Sequence, residues 1–156
     1  MGSARLGGEK MTAVLHPFLR DPSWMMRTAS LKIIAAFEKT EDIRKFDGAV
    51  MKALLDPALV VRAEAISTLE RIKAPALEQA LFDSLEEPSN YHRGIAQFVP
   101  QRALRALVKL PIDSKDVAKK RLNRVSELLL NDEFVGDAEF KHQLTMASQF
   151  FKKSTN

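Results

Sequence analysis

Apolar residues recur along most of this chain at steps of three and four positions, the spacing that places them on one face of an α-helix. The chain shows no alternating strand pattern, and glycine is scarce, at 6 of 156 residues. This pattern predicts an all-α chain of eight helices. We expect them at Glu9–Leu19, Pro22 to about Lys39, Thr40–Leu55, Pro57–Lys73, Ala74 to near Leu85, Val99 or Pro100 to Leu110, Asp113 or Ser114 to Leu130, and about Asp137 to Lys152.

Two of these segments repeat one another thirty-five positions apart: LRDPSWMMRTASLKIIAAF at 19–37 and LLDPALVVRAEAISTLERI at 54–72. An aspartate suits the N-cap of a helix, and a proline suits its first position, where no backbone donor is needed. Self-similarity at this period is the mark of stacked helical repeats. The copies share Leu19/Leu54, Asp21/Asp56, Pro22/Pro57 and Arg27/Arg62, and both carry an apolar residue at Trp24/Leu59, Met26/Val61, Leu31/Ile66, Ile34/Leu69 and Phe37/Ile72.

Asp-Pro followed by an apolar residue, with Arg six positions after the Asp, resembles the second helix of a HEAT repeat. The resemblance implies a short right-handed α-solenoid of about four antiparallel helix pairs. In that family, Asp and Arg commonly bond between neighbouring repeats. The resemblance therefore also implies a structural ladder of such bonds through Asp21, Arg27, Asp56 and Arg62.

The third repeat departs from this pattern. QFVPQRALRALVKL at 97–110 aligns with the second copy only at an offset of 38, and Pro100 stands where the Arg is expected. Residues 86–96, EEPSNYHRGIA, form an insertion before it. Insertions in repeats map to loops on one face, often the binding face. The segment is interpreted as either a recognition loop around Tyr91, His92 and Arg93 or a longer connection between helices.

Composition places the chain among globular proteins, with 46% apolar residues and no run long enough to span a membrane. We predict one HEAT-like domain at 9–152, preceded by a flexible segment or expression remnant at 1–8 and followed by a disordered tail at 153–156. The absence of cysteine excludes disulfides and thiol chemistry. No segment resembles an export leader, so a cytoplasmic location is the default expectation.

The net charge of +4 is concentrated in residues 101–124, which contain eight basic residues and only two acidic ones, Asp113 and Asp116. On the seventh helix the apolar stripe is expected at Ala118, Leu122, Val125 and Leu129, which turns the basic residues towards water. Such a face can meet phosphates or an acidic protein, or simply be solvated. With the loop residues, the candidate partner-binding set is Tyr91, His92, Arg93, Arg102, Arg105, Lys109, Lys119, Lys120 and Arg124.

Signals for chemistry are weak. The three histidines are far apart in sequence. Glu139 and His142 have the spacing used in dimetal bundles, but the chain has no second motif of this kind. There is no glycine-rich phosphate loop and no recognisable serine–histidine frame. We therefore predict a non-enzyme without cofactor, metal or catalytic residues.

The terminal helix carries an apolar stripe at Phe140, Leu144, Ala147 and Phe151, and Phe150 adds an apolar edge that a partner or further repeats could cover. The sequence therefore favours a protein-interaction or scaffold module with an unidentified protein partner. The alternative is binding of nucleic-acid backbone through the basic helices at 101–124, as in HEAT-like DNA glycosylases, which the chain resembles only in architecture. Accessory function for an enzyme is a third reading.

Overall fold

The computed structural model describes residues 3–37, 40–131 and 137–156. In these ranges the chain is all-helical apart from one small hairpin, which confirms the predicted fold class at this level. The helices are α1 (Ser3–Phe18), α2 (Trp24–Ala35), α3 (Thr40–Arg44), α4 (Asp47–Ala53), α5 (Leu59–Arg71), α6 (Leu77–Glu86), α7 (Phe98–Lys109), α8 (Lys115–Leu130) and α9 (Ala138–Lys153). Lys39, the predicted end of the second helix, lies outside the described residues.

The predicted third helix, Thr40–Leu55, is wrong as a single element, because it breaks into α3 and α4 at Phe46. The Phe46 N–H bonds to the Ile43 carbonyl three residues back, a tightened turn. The Phe46 side chain is fully buried, and its ring stacks on His16 at 4.8 Å and on Phe37 at 6.2 Å. Burial of this aromatic ring outweighs the continuity of the helix.

Internal contacts divide the chain into two compact units, Met1–Ala80 and Leu81–Asn156. In the first unit α2 packs along α5, and α4 also packs on α5. The Thr68 hydroxyl of α5 donates to the Leu31 carbonyl of α2 at 3.2 Å. The core of the two helices consists of apolar residues three and four apart, namely Leu31, Ile34, Val61, Ala65, Ile66 and Leu69.

In the second unit α9 packs on both α8 and α7. The predicted stripe of α9 is confirmed: Phe140, Leu144, Ala147 and Phe151 are all buried. The stripe expected for α8 is confirmed at Ala118 and Val125 and wrong at Leu122 and Leu129. Its buried residues are Ala118, Arg121, Val125 and Leu128, while Leu122 and Leu129 are only partly buried.

The predicted division into an N-terminal segment at 1–8, a domain at 9–152 and a tail at 153–156 stays a prediction. In the structure α1 begins at Ser3 and α9 continues to Lys153. Among the described residues, no helix is long and apolar enough to cross a bilayer.

Candidate functional site

The Asp-Pro-x-x-x-x-Arg phrase folds in the same way in both copies. The carboxylate Oδ1 of Asp21 accepts from the Ser23 N–H, and that of Asp56 accepts from the Ala58 N–H, each at 2.8 Å. Both aspartates therefore precede the residue that opens the helix, instead of being the N-cap that the sequence pattern predicts. The Arg six positions on donates to the backbone carbonyl of its own Asp in both copies.

Arg27 of the first copy also reaches Asp56 of the second. Its Nε and Nη2 donate to the two carboxylate oxygens at 2.7 and 2.8 Å, a bidentate pair with little exposure on either side chain. Burial alone would raise the pKa of Asp56, but the Arg27 bond, the Ala58 N–H and the charges of Arg27 and Arg62 together hold it below its usual value. Arg62 donates to the Asp56 backbone at 2.6 Å. The bond between the copies therefore runs from Arg27 to Asp56.

The 86–96 segment is more ordered than a plain loop. Pro88–Asn90 form a 3₁₀ turn, and β1 (Tyr91–His92) pairs antiparallel with β2 (Ile95–Ala96). Arg93 and Gly94, the two turn residues, both have positive φ, as a type I′ hairpin turn requires. The Asn90 side chain is completely buried and donates to the Ser84 carbonyl at 2.8 Å, which fixes the segment to the end of α6.

Within this segment the three candidate residues separate into two kinds. The Tyr91 hydroxyl donates to the Leu85 carbonyl at 2.6 Å, and its ring lies edge-on to Phe140 at 6.0 Å. Burial, with a smaller contribution from the charge of Glu86, raises the pKa of the Tyr91 phenol. His92 and Arg93 are exposed at the tip of the hairpin. Of the three candidates, Tyr91 is therefore tied into the fold by its ring and hydroxyl, whereas His92 and Arg93 are accessible to a partner.

The basic residues of α8 are also not equivalent. Arg121 is buried and donates to the carbonyls of Leu110 and Pro111, so it holds the connection that follows α7. Arg124 pairs with Glu86 at 2.7 Å and stacks over the Phe82 ring at 4.0 Å. Lys119 and Lys120 are exposed, side by side in sequence. The free basic face of α8 is therefore smaller than the charge count predicts.

The remaining basic candidates lie on α7. Arg105 and Lys109 are exposed, and Arg102, one turn earlier, is half-buried. Helices α7 and α9 run in the same direction. The Ala96 N–H, just before α7, bonds to the Asp137 carboxylate at the N-cap of α9, and Lys115 Nζ, after α7, donates to the Asn156 carbonyl beyond α9.

Between these parallel helices lies an open groove of about 630 Å³, which we call the α7/α9 groove. Its apolar wall is formed partly by Leu104 and Ala147, which are almost completely buried, and partly by Met146 and Phe150, which are 53% and 41% exposed. The Phe150 ring is held edge-on against the fully buried Phe151 at 5.5 Å. The groove is lined by Gln101, Leu104, Arg105, Val108, Lys109, His142, Gln143, Met146, Ala147 and Phe150.

The groove thus joins Arg105 and Lys109 to the apolar edge at Phe150, whereas Lys119 and Lys120 do not line it. Met146 and Val108, which line the groove, were not among the predicted site residues. Their signal was present, since Leu104/Val108 and Met146/Phe150 are apolar pairs four apart that flank the buried stripes of their helices. What the sequence does not contain is the pairing of the two helices.

The three histidines lie on different elements of the described structure. His16 stacks on Phe46, His92 lies at the hairpin tip, and His142 lines the α7/α9 groove. Among the residues that the structure describes, no group of three His, Asp or Glu side chains is placed to hold a metal ion.

Comparison with known proteins gives no significant match to a family model, a curated protein or a solved structure. The HEAT-repeat assignment therefore stays a prediction that rests on the motif.

Proposed function

We propose that this chain is a non-catalytic protein-interaction module of HEAT-like helical repeats, and that the α7/α9 groove receives a helical segment of a partner protein. The observation that carries the proposal is the exposure of Met146 and Phe150 beside two cations in one groove. Large apolar side chains grouped on a surface and edged by polar residues are typical of protein-binding sites.

The dimensions of the groove favour a helical ligand. The α7 residues that line the groove run from Gln101 to Lys109, so at 1.5 Å per residue this wall is about 13 Å long. A partner helix of two to three turns would bury an apolar stripe along that length. Grooves of this kind bind amphipathic helices through anchors three and four residues apart.

The repeat character of the chain supports this reading. Arg27 and Asp56 join the two copies of the Asp-Pro-Arg phrase, and α2 and α5 pack along each other. Helices α7 and α9 are likewise parallel neighbours. Parallel packing of alternate helices is expected for stacked helix pairs, whose surfaces serve binding without any chemistry.

The test is a selection of random peptides, about 16 residues long, displayed on phage against the purified chain. We expect the selected peptides to bind the wild type and to lose at least roughly tenfold in affinity for Met146→Glu/Phe150→Glu, because truncating or charging an anchor removes much of the binding energy. Both side chains are substantially exposed, so the fold should tolerate the change.

Lys119→Glu/Lys120→Glu is the matched control, since it also changes two exposed side chains of the same unit but leaves the groove intact. The proposal predicts unchanged peptide affinity for this control. Failure to enrich any peptide, or equal binding to the Met146/Phe150 variant, would contradict it.

Binding of nucleic-acid backbone remains a second candidate, favoured by the exposed pair Lys119 and Lys120. Arg121 and Arg124 already bond within the chain, which leaves fewer cations for phosphates. A labelled DNA duplex and an RNA of equal length should be titrated across salt concentrations. Micromolar binding that falls with salt and with Lys119→Glu/Lys120→Glu would favour this candidate, because phosphate contacts release counterions.

A further inference from the structure

The charged side chains that line the α7/α9 groove, Arg105 and Lys109, are both basic. Helix α7 carries Arg102, Arg105 and Lys109 and no acidic residue. Helix α9 carries Lys141, Lys152 and Lys153 against Glu139 alone. His142 and two amides, Gln101 and Gln143, complete the polar part of the lining, in which there is no carboxylate.

The two cations of the lining are not neutralised within the described part of the chain. No described carboxylate pairs with Arg105 or Lys109, and both are exposed. The contrast with α8 is direct, since Arg124 pairs there with Glu86 at 2.7 Å. Arg105 and Lys109 therefore place positive charge along one wall of an apolar groove. The low-dielectric walls of the groove screen the field of these cations less than water does at a flat surface.

The spacing of these cations selects among anionic ligands. Arg105 and Lys109 are four residues apart on one helix, so their side chains leave it about 6 Å from each other. A partner helix lying along the groove presents carboxylates four residues apart with the same repeat. A ligand with a single carboxylate, such as a fatty acid, would meet only one of the two cations.

We propose that the partner of the α7/α9 groove is an acidic amphipathic helix. Its apolar stripe covers Met146 and Phe150, and two carboxylates four residues apart pair with Arg105 and Lys109. This inference rests on the proposed function and adds the chemical class of the partner. The arrangement uses the apolar wall for affinity and the cations for orientation and selectivity.

The experiment uses three synthetic helical peptides of about 16 residues, identical in a leucine stripe at three- and four-residue steps. One carries two Glu four apart beside the stripe, one carries Gln at both positions, and one carries Lys. Each is titrated by fluorescence anisotropy against the full chain, against Arg105→Glu/Lys109→Glu, and against Lys119→Glu/Lys120→Glu as matched control. Vesicles of anionic lipid without peptide form a separate arm.

We expect the Glu peptide to bind the wild type roughly tenfold more tightly than the Gln peptide, because two partly desolvated pairs are formed. Arg105→Glu/Lys109→Glu should reverse the order, so that the Lys peptide binds best. The Lys119/Lys120 control should keep the wild-type order. Restored binding by swapped charges would show direct pairing, since loss of fold cannot produce it.

Equal binding of the Glu and Gln peptides would overturn the acidic partner and leave the groove as a protein-binding site. Binding of vesicles that is lost in Arg105→Glu/Lys109→Glu, with no peptide binding, would overturn it in favour of a lipid surface. No binding of any probe would also overturn it. The peptide selection with Met146→Glu/Phe150→Glu would then decide the proposed function independently.

Discussion

The pair between Arg27 and Asp56 gives the sharpest prediction about stability. Asp56 accepts two bonds from the guanidinium at 2.7 and 2.8 Å, and the side chains of Arg27 and Asp56 are only 14% and 8% exposed. Removing one partner of a buried pair costs about 3–5 kcal/mol, and this pair keeps some contact with water. Including the lost bond to the Ala58 N–H, we expect Asp56→Ala to destabilise the first unit by about 3 kcal/mol.

Asp21→Ala is the matched control. Its carboxylate makes the same local bond, to the Ser23 N–H at 2.8 Å, but no bidentate pair with an arginine. We expect this change to cost about 1 kcal/mol, the usual effect of losing such a side-chain bond at a helix start. The difference of about 2 kcal/mol between the two substitutions is then the cost of leaving Arg27 without its carboxylate partner.

A double-mutant cycle isolates the pair. Arg27→Ala alone should cost about 3 kcal/mol, and the double variant with Asp56→Ala should cost about 2 kcal/mol less than the sum. The cycle between Asp56 and Arg62 should show weaker coupling, because Arg62 donates to the Asp56 backbone, which alanine keeps. Coupling between Arg27 and Asp56 below about 0.5 kcal/mol would refute the reasoning.

The assay is urea unfolding at pH 7 followed by the fluorescence of Trp24. It is the only tryptophan of the chain and lies at the start of α2, three residues before Arg27. Its signal therefore reports the unit in which the substitutions lie. Far-UV circular dichroism on the same samples checks whether the rest of the chain unfolds in the same transition.

Three further predictions follow from single positions. Because the pKa of Asp56 is lowered, the stabilisation by its carboxylate is complete above about pH 4 and is lost as the pH falls through the folded-state pKa. The difference in unfolding free energy between the wild type and Asp56→Asn should therefore shrink in acid. Lys73 has φ 50° and closes α5 by bonds from the Lys73 and Ala74 N–H groups to the Glu70 and Leu69 carbonyls, so Lys73→Gly should stabilise the chain by about 0.5–1 kcal/mol in urea unfolding. Tyr91 is the only tyrosine, and its pKa is raised. The folded protein should therefore show no tyrosinate absorbance at 295 nm at about pH 10, where an exposed phenol is half ionised. Half ionisation of Tyr91 at that pH in the folded protein would contradict the buried bond to Leu85.

Much of the local structure was predictable because it depends on neighbours in sequence. The repeated Asp-Pro-Arg phrase located the starts of α2 and α5 to within two residues, and the period of Phe140, Leu144, Ala147 and Phe151 gave the buried face of α9. The register of α8 was not predictable from apolarity alone, since Arg121 is buried by bonding to carbonyls beyond its own helix. Its buried face therefore includes a charged residue, which a hydrophobic pattern assigns to water.

Features that depend on distant residues were missed. Phe46 breaks a helix because His16 and Phe37 form its packing surface, and neither is a neighbour in sequence. The hairpin at 91–96 has Arg93-Gly94 in its turn, where Asn-Gly or Asp-Gly would be the usual signal. The α7/α9 groove arises only when two helices some forty residues apart are laid side by side.

The most direct test of the proposed function is a methyl NMR titration of the chain, labelled at its six methionines, with a selected peptide. Met146 lies in the groove, whereas the exposed Met25 on α2 does not and is the internal control. We predict that the Met146 methyl signal shifts and saturates with the peptide while that of Met25 stays in place. A saturable peptide complex in which Met146 does not move would contradict the assignment of the α7/α9 groove as the binding site.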